Sequence, residues 1–327
     1  MEDNDSKGTA GEEIVFCVSV HDDKIVSKKQ IMKQILHLIK VRKNHHLRSD
    51  YGVVLFDECH NPVFLTRLTE DVHEIEHLLK DEGELTCDEH PLDHGIMVGL
   101  HYLIDAFKTS GNRLYRMILV TDVYRHGITS IEKGMLDLLE IVRFFPLSVD
   151  IIRLGKESYT DQHRLQLISL TTHGRLIYAE DAKVFKKAFD RIVESNDATP
   201  ASVFNEGIPG VAPPSTIPEA YKSFFEEIAT LVDEIRIHGD GKDYHCGLCR
   251  NSIVPDPKSL SFVCPGCNTS FHEQCFIDFF AQHNVGFIHV GRCFECDLLL
   301  QIDEDKIRNA FDLPLPDDVL DSHNEEQ

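Results

Sequence analysis

Seven of the ten cysteines in this 327-residue chain fall between Cys246 and Cys296. With one histidine they form four pairs, each separated by two residues: Cys246 and Cys249, Cys264 and Cys267, His272 and Cys275, Cys293 and Cys296. A two-residue gap lets a tight turn aim both ligand atoms at one ion, and eight ligands complete two tetrahedral zinc sites with no open position. Closed sites of that kind supply folding energy to a segment too small for a core of its own, so the chemistry expected here is structural. A disulfide framework would not crowd seven cysteines and a histidine into so short a stretch of an intracellular chain. Cys17, Cys59 and Cys87 are scattered, and the set Cys59, His60, Cys87, His90 and His94 matches no compact metal spacing. Spacing alone leaves open which pairs share an ion.

Composition narrows the rest. The 33 Lys and Arg against 55 Asp and Glu give a formal charge of −22, a field that repels phosphate backbones. Direct nucleic-acid binding is therefore not expected. No run approaches the ~18–20 apolar residues that span a bilayer, and the start, MEDNDSKGTAGEE, is acidic where a signal peptide is basic and apolar. The expectation is a soluble intracellular protein with no membrane contact, nuclear if eukaryotic and otherwise cytoplasmic. An apolar content of 42% provides for real cores.

The elements that must carry these residues alternate. After a leader at 1–13, strands are expected at 14–20, 51–57, 62–68, 116–122, 148–155 and 175–181. Helices are expected at 71–80, 92–108, 130–143, 160–171 and 182–195, and another carries Ile31, Ile35 and Ile39 on one face. One early hairpin interrupts the alternation, and the pattern implies a mostly parallel sheet with helices on both faces over 14–196. Five prolines and two glycines between Asn196 and Pro218 mark a linker, 197–218. Tyr221, Phe224, Phe225, Ile228, Leu231, Val232 and Ile235 then recur at helical spacing, so 219–243 reads as a linker helix bearing an apolar stripe of about four turns. Its stripe must be covered, first by the cysteine-rich module at 244–316 and otherwise by the domain at 14–196 or by another chain. Residues 303–327 hold nine acids and two bases, and 317–327 reads as an acidic tail.

The pair order Cys-Cys, Cys-Cys, His-Cys, Cys-Cys resembles that of RING and PHD fingers. In both, pairs one and three share an ion and pairs two and four share the other. This resemblance assigns Cys246, Cys249, His272 and Cys275 to one zinc and Cys264, Cys267, Cys293 and Cys296 to the second. The aromatic that PHD fingers place two residues before the last pair is here Gly291, and the chain has no Trp, which leaves the RING-like choice. The stretch GVVLFDECHNPVFLTRLTEDVHEIEHLL, with RMILVTDV, resembles the second to fourth strands of the von Willebrand factor A domain. The implied fold class is α/β: a von Willebrand A-like doubly wound, mostly parallel sheet, plus a small C-terminal RING-like two-zinc domain. That family often binds Mg²⁺ through Asp-x-Ser-x-Ser after the first strand, a Thr and a later Asp. Here the first motif reads Ser19-Val20-His21-Asp22-Asp23, Leu92 and Asp93 stand near the threonine segment, and Asp122 keeps the last acid. Asp22, Asp23 and Asp122 thus outline at most a vestigial cation site. Mg²⁺ is not expected, because a hard cation needs several oxygens in fixed geometry.

An A domain followed by this finger is similar to the Ssl1-type subunits of general transcription factor IIH. The likeness includes Phe262-Val-Cys-Pro-Gly-Cys-Asn-Thr-Ser-Phe-His-Glu-Gln-Cys and the Cys-Asp-Leu-Leu-Leu-Gln-Ile that follows. It implies a non-catalytic scaffold in a repair or transcription assembly, with protein subunits as partners and a helicase among them. The alternative is a RING-type ubiquitin ligase whose A domain selects substrates. Leu248 inside the first pair suits a ubiquitin-conjugating enzyme. The last pair, Cys293-Phe294-Glu295-Cys296, lacks the usual proline, and Asp297 and Leu298 offer no linchpin cation. Leu248 and Phe225 are the candidate partner-contact residues. No catalytic constellation is legible.

Overall fold

The computed structural model describes residues 11–20, 24–44, 49–57, 61–64, 69–81, 92–110, 113–122, 133–143, 145, 147–156, 159–194, 218–236, 243–254 and 260–313. The expected linker (apart from Pro218) and the acidic tail lie outside these residues, as do His21, Asp22 and Asp23 and the set Cys59, His60, Cys87 and His90. The chain divides into two compact units that part between Ser202 and Val203, with Phe107–Gly111 grouped with the second.

The first unit is a six-stranded sheet. Its strands are β1 (Gly11–Ser19), β2 (Ser49–Asp57), β3 (Asn61–Phe64), β4 (Arg113–Thr121), β5 (Leu147–Leu154) and β6 (Leu176–Ala179). They lie in the order β3-β2-β1-β4-β5-β6. Every neighbouring pair is parallel except the β2–β3 hairpin at the edge. Continuous apolar runs such as Ile14–Cys17 and Met117–Val120 suit strands buried on both faces. On one face, Ile14, Phe16, Ile118, Val120, Ile152 and Leu154 pack against α1 (Lys28–Asn44) and α6 (Ala182–Glu194). On the other, α3 (Leu92–Thr109) comes so close at Gly99 that a Cβ there would lie 3.3 Å from Val15 Cγ1 and would overlap Met117. α2 (Val72–Asp81), α4 (Lys133–Val142) and α5 (Tyr159–Thr171) complete the alternation.

Local signals set the helix starts. Ser27 and Gln30 form a reciprocal capping box at α1, at 2.9 and 3.4 Å. Asp181 Oδ1 accepts the N–H groups of Lys183 and Val184 at α6, both at 2.8 Å. β1 begins at Gly11, inside the stretch expected as leader, because its first carboxylates have partners. Glu12 pairs with Arg42 at 3.2 Å, and Glu13 and Asp50 share Arg113. Arg42 and Arg116 each donate to Ile192 O at 3.3 Å, placing cations on the last turn of α6.

The second unit departs from expectation at its start. A 3-10 turn at Glu219–Tyr221 leads into α7 (Lys222–Ile228), a helix of seven residues and not of about four turns. The chain then becomes two short strands, β7 (Thr230–Leu231) and β8 (Asp233–Ile235). β-branched Thr230, Val232 and Ile235 favour extension, and both strands find ladders already waiting. β8 is the third member of the sheet β10-β9-β8, with β9 at Ser261–Val263 and β10 at Ser270–His272. β7 joins β11-β12-β7 by pairing parallel to β12, with β11 at Val290–Arg292 and β12 at Leu299–Gln301. α8 (Glu273–Gln282) and α9 (Glu304–Ala310) finish the unit. Phe225 is completely buried, 5.6 Å from the Phe287 ring, so it serves the core of this unit and offers no face to a partner. Leu231, counted with the buried stripe on a helical reading, is 65% exposed.

Candidate metal centres

Three strand ends and one helix carry four of the eight ligands. Ligand atoms of Cys246, Cys249, His272 and Cys275 lie within 4.8 Å of one another, and so do those of Cys264, Cys267, Cys293 and Cys296. These are the interleaved quartets that the finger resemblance implies. Cys264 follows β9, Cys293 follows β11, His272 ends β10 and Cys275 sits in the first turn of α8.

The distances fit zinc. Cys264 Sγ to Cys296 Sγ and Cys267 Sγ to Cys293 Sγ are both 3.7 Å. A disulfide would need about 2.05 Å, whereas zinc–sulfur bonds of about 2.3 Å set two tetrahedral ligands about 3.8 Å apart. In the other quartet His272 Nδ1 is 3.4 Å from Cys249 Sγ and 3.8 Å from Cys275 Sγ. That brackets the roughly 3.6 Å expected between sulfur and nitrogen on one zinc. His272 Nε2 lies 3.3 Å from Ser252 O, so its N–H points at that carbonyl and Nδ1 is left bare for a metal. Each quartet can hold a zinc ion.

In three of the pairs the expected tight turn has one shared form, whose hydrogen bonds and left-handed residue the spacing did not foretell. In each, the first cysteine's carbonyl accepts from the residue four on: Arg250 N to Cys246 O at 2.9 Å, Asn268 N to Cys264 O at 2.8 Å, Asp297 N to Cys293 O at 3.0 Å. The first cysteine's N–H then donates to the carbonyl five on, at Asn251, Thr269 and Leu298 respectively. The residue after each second cysteine is left-handed, with φ of 63° at Arg250, 59° at Asn268 and 59° at Asp297. Asn and Asp accept that conformation readily and Arg does not. Only the residue types at 268 and 297 hinted at it. Gly247 is required by close approach, since a Cβ there would sit 2.6 Å from Thr269 Cγ2 and 2.7 Å from the Phe271 ring.

Electrostatics within the quartets is uneven without an ion. Burial opposes ionisation of Cys246, but N–H groups of Cys249, His272 and Leu248 outweigh it and bring the thiol down to about 7. Cys267 is likewise brought down to about 7 against burial, by Thr269, whose hydroxyl lies 3.1 Å from Sγ. Burial and neighbouring thiols push Cys275 up to about 12 and Cys296 up to about 11. A dication removes this conflict by drawing all the thiolates into one coordination shell.

Around the quartets runs a core of phenylalanines. The Phe276 ring is 5.2, 4.9 and 4.5 Å from those of Phe262, Phe271 and Phe280. Arg250 and Glu295 pair at 2.8 Å, joining the first knuckle to the last across the two metal positions. At that end Leu248 is half-buried and Phe294 is 53% exposed.

The vestigial cation site is different. Of Asp22, Asp23 and Asp122, only Asp122 lies among the described residues, buried at the end of β4 with its N–H 3.3 Å from Ser19 O. Ser19, Thr121 and Arg153 lie in register across β1, β4 and β5 and are all fully or almost fully buried. On that row the described residues offer the hydroxyls of Ser19 and Thr121 and a guanidinium, with Asp122 the adjoining carboxylate. Cys17 is sealed in the sheet, where burial pushes its thiol up to about 12 and makes it inert.

No protein-family model and no curated protein matches this chain. Solved structures with a likeness of fold include the conserved hypothetical protein BatB from Bacteroides thetaiotaomicron, at 11% identity and a TM-score of 0.41, over 57% of this chain and 100% of that one. The von Willebrand factor type A structure from Catenulispora acidiphila aligns at 11% identity and 0.42, over 57% and 42%. The SpRpn10 VWA domain aligns at 15% and 0.42, over 55% and 94%. No described helix is long and apolar enough to cross a membrane.

Proposed function

We propose that this protein is a non-catalytic scaffold subunit of a multiprotein assembly, in transcription or DNA repair as in transcription factor IIH. Two structural zinc ions make its C-terminal module a rigid interaction surface. The supporting observation is the pair of interleaved four-ligand quartets, each with every ligand supplied by protein. A closed tetrahedral site has no position for substrate or activated water, so its contribution is shape and stability. The A-like sheet then serves as a second protein-binding module without Mg²⁺, and the chain's strong negative charge directs it to protein rather than nucleic acid. Affinity purification with partner identification tests this reading. Recovery of a helicase and sister subunits supports it.

The second reading, a RING-type ubiquitin ligase, is favoured by half-buried Leu248 and exposed Phe294 at the end of the module that Arg250 and Glu295 tie together. Recovery of ubiquitin-conjugating enzymes, with chain formation in a reconstituted reaction that Leu248→Ala abolishes, would replace the scaffold reading.

A further inference from the structure

Beyond the sulfur quartets, one more group of metal-type side chains converges in the second unit. Glu226 on α7, His289 just before β11 and Glu304 in the first turn of α9 offer ligand atoms within 4.8 Å of one another. The His289 side chain is 2% exposed. Its Nε2 lies 2.9 Å from Glu226 Oε1, so the Nε2–H donates to that carboxylate. Nδ1 is then the bare nitrogen. It has no hydrogen-bond partner and faces Glu304 Oε2 at 3.6 Å.

Two acceptors held face to face at that separation do not bond to each other. The same separation is close to the edge of a coordination shell, where bonds of about 2.0–2.2 Å set nitrogen and oxygen ligands about 3.4 Å apart. The group lines a cavity of about 560 Å³ whose wall adds the carboxylates of Asp233, Glu234 and Asp303, with Glu234 paired to Lys306 at 2.6 Å.

We propose that His289 Nδ1 and Glu304 Oε2 bind a third divalent ion, of the class that accepts imidazole and carboxylate together, such as Zn²⁺, Co²⁺ or Mn²⁺. Glu226 orients His289 from behind as the carboxylate of a carboxylate–histidine–metal relay. Arg308 occupies the other oxygen of Glu304, with Nη2–Oε1 at 2.5 Å, and so leaves Oε2 as the ligand. Lys222 is the built-in competitor. Its Nζ contacts Glu304 Oε2 and also lies 3.4 Å from the exposed Glu219, to which it moves when an ion arrives. With two protein ligands and the remaining positions open to the cavity, this ion exchanges with solvent and can take an oxygen ligand from a partner. The sulfur-bound ions cannot.

The test uses full-length protein carrying its two tightly held zinc ions, dialysed to equilibrium against Zn²⁺ alone and, separately, Mn²⁺ alone. A third, saturable equivalent is expected below about 1 mM. His289→Ala and Glu304→Gln should abolish it, Glu226→Gln should weaken it about tenfold or more, and Lys222→Met should tighten it. Retention of the two tight zinc ions reports that each variant has folded. No third equivalent in either the native protein or Lys222→Met overturns the proposal, as does one that survives both His289→Ala and Glu304→Gln. Either result leaves His289 as a buried pin hydrogen-bonded to Glu226 of α7. The scaffold reading stands apart from this outcome, because it depends on the sulfur quartets alone.

Discussion

At the scale of single residues, the metal ligands were legible because their chemistry is written in fixed local spacing. The left-handed Arg250 and the Glu226–His289–Glu304 group were not, since the first needs backbone geometry and the second joins residues 63 and 15 positions apart. Glu13 is a similar case: nothing around it in sequence marks it as buried. Burial and the nearby Asp50 push its carboxyl up to about 7, with Arg113 opposing. A carboxyl whose folded value lies above its unfolded one holds an extra proton in the fold between the two values. Stability is therefore greatest below about pH 4.5 with respect to this group, falls as pH rises towards 7, and is flat beyond. The expected loss is on the order of 3 kcal/mol. Denaturant melts of the first unit at a series of pH values should show that slope, and Glu13→Gln should flatten it. An unchanged slope in the variant would show that another group carries it.

At the scale of elements, the first unit's alternation was readable because parallel strands buried on both faces are continuous apolar runs. The segment at 219–236, read as part of one helix, was misread for a definite reason. Its apolar residues recur at helical spacing across a boundary between a short helix and two strands, and periodicity alone carries no information about available ladders. Leu231 turns outward on β7 while Val232, one residue on, is 3% exposed, a two-residue alternation and not a helical stripe. Phe225→Ala should accordingly destabilise the second unit by about 3 kcal/mol or more and speed zinc loss to a chelator. Leu231→Ala should change stability by about 0.5 kcal/mol at most. Equal effects of the two substitutions in thermal melts would restore the continuous helix.

At the scale of the whole molecule, two units with different sources of stability share one chain. The sheet of the first is held by buried Ile, Val, Leu and Phe side chains that require no metal. The second has short strands around the phenylalanine core and cannot be expected to keep its fold without its ions. A strong chelator should remove one calorimetric transition and leave the other near its original temperature. Loss of both together would mean that the first unit also depends on zinc.

The quartets predict two zinc ions bound across the module, pairs one with three and two with four. Counting zinc in double variants tests it directly. Cys246→Ser with Cys275→Ser disables one quartet and should leave one zinc per chain, whereas Cys246→Ser with Cys264→Ser disables both and should leave none. The opposite result, two ions lost in the first variant and one in the second, would mean that successive pairs share an ion and would contradict the account.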